Sequence, residues 1–148
     1  MPWEFRSDLP IYAQIITQIQ QRIVTGQLQP GDRLPSVRDL AAEAGVNPNT
    51  MQRAMTELER QGLVHSQRTA GRFVTEDGAT IRKLREDLAR TQVRDFLATM
   101  EQLGFAPQEI ADLIQKEGEK KLIDQLVAID ETDEIGLDIV RRIKYHHS

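Results

Sequence analysis

Hydrophobic positions in the first part of the chain recur every three to four residues, in runs that glycine and proline divide. Ile11, Ile15, Ile16, Ile19 and Ile23 keep one stripe behind Pro10, which predicts an amphipathic helix ending near Gly26. Gln29 to Asp32 read as a turn, and Arg33 with Leu34 as a short extended bridge. Ser36 follows Pro35 and has Asp39 three residues on, so its hydroxyl is placed to accept a backbone N–H while the carboxylate reaches back. The helix started there carries Leu40, Ala41 and Ala44 on one face, and Gly45 supplies the permissive backbone of a sharp turn. Asn47 then offers a side-chain oxygen to the next helix, and Pro48 takes its first position, where no N–H is needed. Met51, Ala54, Met55 and Leu58 form its buried stripe, which Gly62 closes. Two short capped helices joined by a glycine turn are the outline of a helix-turn-helix.

The pattern changes twice more. Leu63 to Gln67 and Arg72 to Thr75 have strand composition around a turn at Arg68 to Gly71, which predicts a hairpin directly after the second helix, that is, a wing. Beyond Asp77 and Gly78 the chain is helical in composition. Ile81, Leu84, Leu88, Val93, Phe96, Leu97, Met100 and Leu103 lie on a long helix whose stripe shifts near Thr91 to Val93, with Gly104 and Phe105 as its cap. Pro107 opens another, with Ile110, Leu113 and Ile114 as its apolar face. Leu122, Ile123, Leu126, Val127 and Ile129 make a further face, and a last helix is expected from Thr132 to the cations Arg141, Arg142, Lys144 and His146. The lead-in, with Trp3, Phe5 and Leu9 alternating with polar residues, is expected to pack on the first domain. The organisation predicted is mainly α with a small β wing: a winged helix-turn-helix domain over 1–77 and an all-α helical annex over 78–148.

Asn49, Thr50, Gln52 and Arg53 are left on the open side of the second helix of the pair. Arg matches the two acceptors of guanine, and Asn or Gln the donor and acceptor of adenine, at roughly 1–3 kcal/mol of discrimination per good pair. A solvated face has the same composition, and a solvated hairpin tip is the plain alternative to a wing that presents Arg68 and Arg72 to phosphates or a minor groove. The net charge of -4 opposes nucleic acid only as a sum. Through Asp77 there are 8 Arg, no Lys and 9 acidic residues, so every cation of the first half carries the forked guanidinium suited to phosphate or guanine.

The remaining composition narrows the class. A balance of 39% hydrophobic and 28% charged residues in 148 is that of an ordinary globular chain. No cysteine is present, which removes disulfides, thiolate chemistry and Cys-ligated zinc and suits a reducing cytosol. No apolar run exceeds four residues, so neither a signal peptide nor a membrane span is expected, and the location predicted is cytoplasmic. His65 has no catalytic neighbour in spacing, and neither a phosphate-cradling glycine loop nor metal-ligand spacing occurs, so enzyme, metal and cofactor are not expected.

PIYAQI at 10–15, GQLQPGDRLPSVRDLA at 26–41, GVNPNTMQRAMTELERQGLV at 45–64 and AGRFV at 70–74 together resemble the winged-helix domain of the GntR family of bacterial transcription regulators. The resemblance covers about the first 75 residues. It implies that Arg38 reads a guanine, that Asn47, Asn49, Thr50, Gln52 and Arg53 meet the groove and its phosphates, and that Arg33 lies close to the DNA backbone. Ser36, Arg68, Thr69, Gly71 and Arg72 complete the DNA-contact set expected. The wing departs from the family pattern: Thr69 stands where many members have glycine, and Arg72 where they have Thr or Tyr.

Short amphipathic helices cannot bury their apolar faces alone. The annex resembles that of the YtrA-type subgroup, in which it serves dimerisation, and the dimer face expected is Leu84, Leu88, Val93, Phe96, Leu97, Met100, Leu103, Ile110, Leu113 and Ile114. Residues 119–148 add either dimer surface or a docking site for another protein. The function expected is a homodimeric, sequence-specific repressor on a pseudo-palindromic operator in double-stranded DNA, with transporter genes as targets implied by the resemblance; the sequence names no effector. The alternative is a helical adaptor whose winged helix binds protein or RNA.

Overall fold

A computed structural model describes residues 2–129. The element order is α1 (Ile11–Val24), α2 (Val37–Ala44), α3 (Pro48–Arg60), β1 (Val64–Gln67), β2 (Gly71–Val74), α4 (Gly78–Gln102) and α5 (Pro107–Ile129). The mainly helical class with one small two-stranded sheet agrees with the sequence pattern. Both helices flanking the turn start as their caps dictate. Ser36 Oγ accepts from Asp39 N at 3.1 Å, and Asn47 Oδ1 accepts from Asn49 N at 2.8 Å. Gly45 ends α2 at φ +70, which allows Val46 N to reach Ala41 O at 3.0 Å and returns the chain toward the core.

α3 is the central element: α1 and α2 both pack on it, and β1 follows it onto the same core. Its stripe of Met51, Ala54, Met55 and Leu58 is fully buried with Ile15, Ile19, Leu40, Leu63 and Val74. β1 and β2 are antiparallel, pairing Val64 with Val74 and Gln67 with Gly71. The extended bridge before α2 adds to this hairpin, since Leu34 N donates to Arg72 O at 2.8 Å and Val74 N to Asp32 O at 2.8 Å. The wing is thereby anchored to the segment that leads into the helix-turn-helix.

The lead-in is an extended arm laid against α1. Arg22, Gln18 and Gln14, one turn apart, bond its main chain in order: Arg22 Nη2 donates to Pro2 O at 2.7 Å, Gln18 Nε2 to Glu4 O at 2.6 Å and Gln14 Nε2 to Arg6 O at 2.8 Å. Trp3 and Phe5, on the alternate residues, stack with ring centroids 6.0 Å apart and pack on the core. The Arg22 guanidinium lies 4.0 Å from the Trp3 ring centroid, and burial pulls its pKa below the usual arginine value.

The first compact unit runs through Thr91, beyond the boundary at 77 that composition suggests. The reason is packing. Asp77 caps α4 by accepting from Ala79 N and the Thr80 hydroxyl, and Ile81 and Leu84 then lie against the winged-helix core. Leu84, expected on a dimer face, therefore serves the first unit, and Leu88 lines a cleft of about 360 Å³ there with Gln61, Leu63 and Leu84. The second unit, from Gln92, holds the rest of α4 and α5. Ile110 is its one fully buried large apolar side chain among the described residues. α5 runs unbroken from Pro107 to Ile129, so the two apolar faces read there belong to one helix rather than two. The helix expected from Thr132, with its terminal cations, lies outside the described residues.

Candidate nucleic-acid interface

The exposed ends of α2 and α3 carry most of the polar residues singled out above. Arg38, in the first turn of α2, and Asn49, in the first turn of α3, are exposed. Neither Arg38 nor the Asn49 side chain has a hydrogen-bond or ion-pair partner among the described residues. Their donors and acceptors thus stand on capped helices with nothing among the described residues to satisfy them. Ser36 and Asn47 differ, because their side-chain oxygens are spent on the caps. Thr50 is half-buried, and Gln52 leans along the helix, its Nε2 3.3 Å from Thr56 Oγ1.

Arg33 meets the wing. A Cβ on Gly71, whose φ is +100, would stand 3.3 Å from Arg33 Nε, so this guanidinium packs on bare backbone that any side chain would displace. Arg68 and Thr69 are exposed at the hairpin tip. Arg72 does not point outward with Arg68 as the sequence suggests. It is half-buried and turned back onto α3, where its Nε donates to Glu59 Oε1 at 2.6 Å, and the Ser66 hydroxyl donates to the same oxygen at 2.7 Å. These bonds, first that of Ser66, hold the Glu59 carboxyl below the usual glutamate range.

Glu59 is a residue that the sequence reading missed in this role. The tie it makes is present above the ordinary glutamate range and is lost as pH falls through its depressed value, because protonation removes the acceptor charge. Glu59→Gln should reproduce that loss at neutral pH. The expected cost to wing closure is roughly 1 kcal/mol after discounting for solvent, read as about a fivefold fall in amide-exchange protection over Arg68–Arg72. Unchanged protection in the variant would show that the wing is held by its backbone alone.

Arg53, at the α1 side of α3, lies with its guanidinium carbon 3.8 Å from the centroid of the Tyr12 ring. Tyr12 is the other residue that sequence reasoning passed over. Arg33, Arg38, Arg53 and Arg68 have no carboxylate partner among the described residues, whereas Arg60 is paired with Glu57 and Arg72 with Glu59. An acidic chain thus keeps a set of unpaired guanidiniums on its winged helix. Among the described residues no cluster of three metal-ligating side chains occurs, and no helix is long and apolar enough to cross a membrane.

Comparison with known proteins agrees with this architecture. Residues 11–74 match the model of bacterial regulatory proteins, gntR family. The HTH-type transcriptional regulator YhcF of Bacillus subtilis is 41% identical over 112 residues, which are 76% of this chain and 93% of that protein. The HTH-type transcriptional repressor YtrA of the same organism is 45% identical over 75 residues, 51% of this chain and 58% of its own length. A GntR family transcriptional regulator from Listeria monocytogenes superposes with a TM-score of 0.70 at 39% identity, covering 76% of this chain and 98% of the other. A winged helix with capped reading helices, a matching family model and likeness along nearly the whole length of such regulators lead to one conclusion: the chain belongs to the GntR family of bacterial regulatory proteins.

Proposed function

We propose that this regulator is a homodimeric repressor that reads a pseudo-palindromic operator with two copies of its winged helix, one per half-site. The observation that carries the reading is the pairing state of its cations: Arg38 stands exposed, with no partner among the described residues, at the start of a capped helix in a chain otherwise rich in acid. Repression is the reading that similarity to YtrA supports, through obstruction of transcription at the occupied site. Control of transporter genes remains the target class that the family resemblance implies.

Dimerisation is the role we assign to the second unit. Val93, Phe96, Leu103, Leu113 and Ile114 are exposed there, with Leu122 and Val127 farther along α5. Leu103 reaches 66% exposure. Helices that bury one large apolar side chain of their own among the described residues leave this apolar surface to be covered, and a second copy covers it with like surface. Leu97 and Met100, half-buried, complete the face; Leu84 and Leu88, which serve the first unit, and Ile110, buried within the second, drop out of it.

The testing experiment is fluorescence anisotropy of the full chain on its own upstream DNA and on a scrambled duplex, at two salt concentrations. Tighter binding to the upstream duplex, weakening steeply with salt, is the result expected. Weak and equal binding to both, insensitive to salt, would sink the DNA reading and favour an adaptor.

A further inference from the structure

Tyr12 and Arg53 form a contact between α1 and α3 outside the buried core. Tyr12 is half-buried and Arg53 exposed, and the guanidinium carbon stands 3.8 Å from the ring centroid. No hydrogen bond or ion pair holds Arg53 among the described residues, so the aromatic face is what fixes it. Stacking occupies a flat face of the guanidinium and leaves its in-plane N–H donors open. The pair borders an open groove of about 370 Å³ lined also by Ile11, Asn49 and Thr50, and a second groove lined also by Glu57, whose carboxylate is paired with Arg60. An exposed arginine ordinarily loses much rotamer freedom on binding, and one already stacked loses less.

We propose that Tyr12 is a positioning residue for DNA binding: it holds Arg53 on the α1 side of the reading face, where the guanidinium takes a backbone phosphate instead of a base edge. The direction of the side chain supports this choice. It leans from α3 across to α1, whereas Gln52 lies along α3 itself. The inference rests on the DNA-binding reading above. It adds that one of the helix's arginines sets register without reading sequence, through a residue on another helix.

Anisotropy on the upstream and scrambled duplexes across a salt series tests it, with wild type, Tyr12→Phe, Tyr12→Leu, Arg53→Ala and the Tyr12→Leu/Arg53→Ala double variant. Arg53→Ala should weaken both duplexes by the same factor, about tenfold, and lower the salt slope by about 1. Tyr12→Leu should weaken both about threefold with the slope unchanged, because the charge remains while its support is gone. Tyr12→Phe keeps the ring and should bind as wild type, and the double variant should be no weaker than Arg53→Ala. Multiplying losses in the double variant, a Phe variant as weak as Leu, or an Arg53→Ala loss confined to the upstream duplex would each overturn the role. Wild type that binds both duplexes weakly and without salt dependence would overturn the DNA reading and this role with it. Selective, salt-steep wild-type binding with multiplying losses would overturn this role alone.

Discussion

Replacing Phe96 and Ile114 together by glutamate should convert the protein to a monomer and weaken its binding to a two-half-site duplex by about 10²–10⁴-fold. The factor is that of losing a tethered second binding event, since each winged helix alone keeps its own contacts. Phe96 is 43% and Ile114 52% exposed, so in the single chain a glutamate at either position reaches solvent. Buried between two copies, by contrast, each would place an unpaired carboxylate in an apolar surface, which opposes association strongly. Light scattering gives the mass, and anisotropy on duplexes with one and two half-sites gives the affinity. The variant should bind both duplexes alike while wild type favours the longer. A variant that stays dimeric would place the interface elsewhere, and a monomer that binds as tightly as wild type would remove the dimer from the mechanism.

Arg38→Ala should cost roughly 1–3 kcal/mol on the upstream duplex and little on a scrambled one. The side chain is exposed and stands two residues past the Ser36 cap, so its removal breaks no hydrogen bond or ion pair among the described residues. Its loss is therefore a direct reading of what it contacts. A base contact gives selectivity loss at one position, whereas a phosphate contact weakens every sequence alike. Arg33→Ala serves as the comparison, since Arg33 packs beside the Gly71 backbone and is assigned to phosphate. Equal losses on both duplexes for Arg38→Ala would contradict its role as the guanine reader.

What was legible in the sequence was local. Ser36 and Asn47 cap helices through bonds spanning three and two residues, and both show as short patterns along the chain. The buried stripe of α3 follows from periodicity alone. What failed depended on placement across elements. Leu84 is visibly apolar, but only the packing of α4 decides that it belongs to the winged helix. Arg72 reads as a wing cation until the hairpin's twist brings it to Glu59, thirteen residues back. Tyr12 meets Arg53 only because α1 crosses α3. The continuity of α5 was hidden by a charged stretch around Gly118 that interrupts the stripe but not the helical backbone.

The polar face of α1 has its own arithmetic. Four residues of helix advance about 6 Å, while two residues of extended chain advance about 6.7 Å. Gln14, Gln18 and Arg22 step by four, and their partners Arg6, Glu4 and Pro2 step by two in the opposite direction. The two scales slide apart by about 0.7 Å per step, or about 1.4 Å by the third contact. There the short amide gives way to the longer reach of arginine, which takes up the slack. The arm and helix thus work as a vernier: only one alignment closes all three marks. A shift of a single residue flips Trp3 and Phe5 away from the core as well, so the arm's register is specified twice, by hydrogen bonding and by side-chain parity.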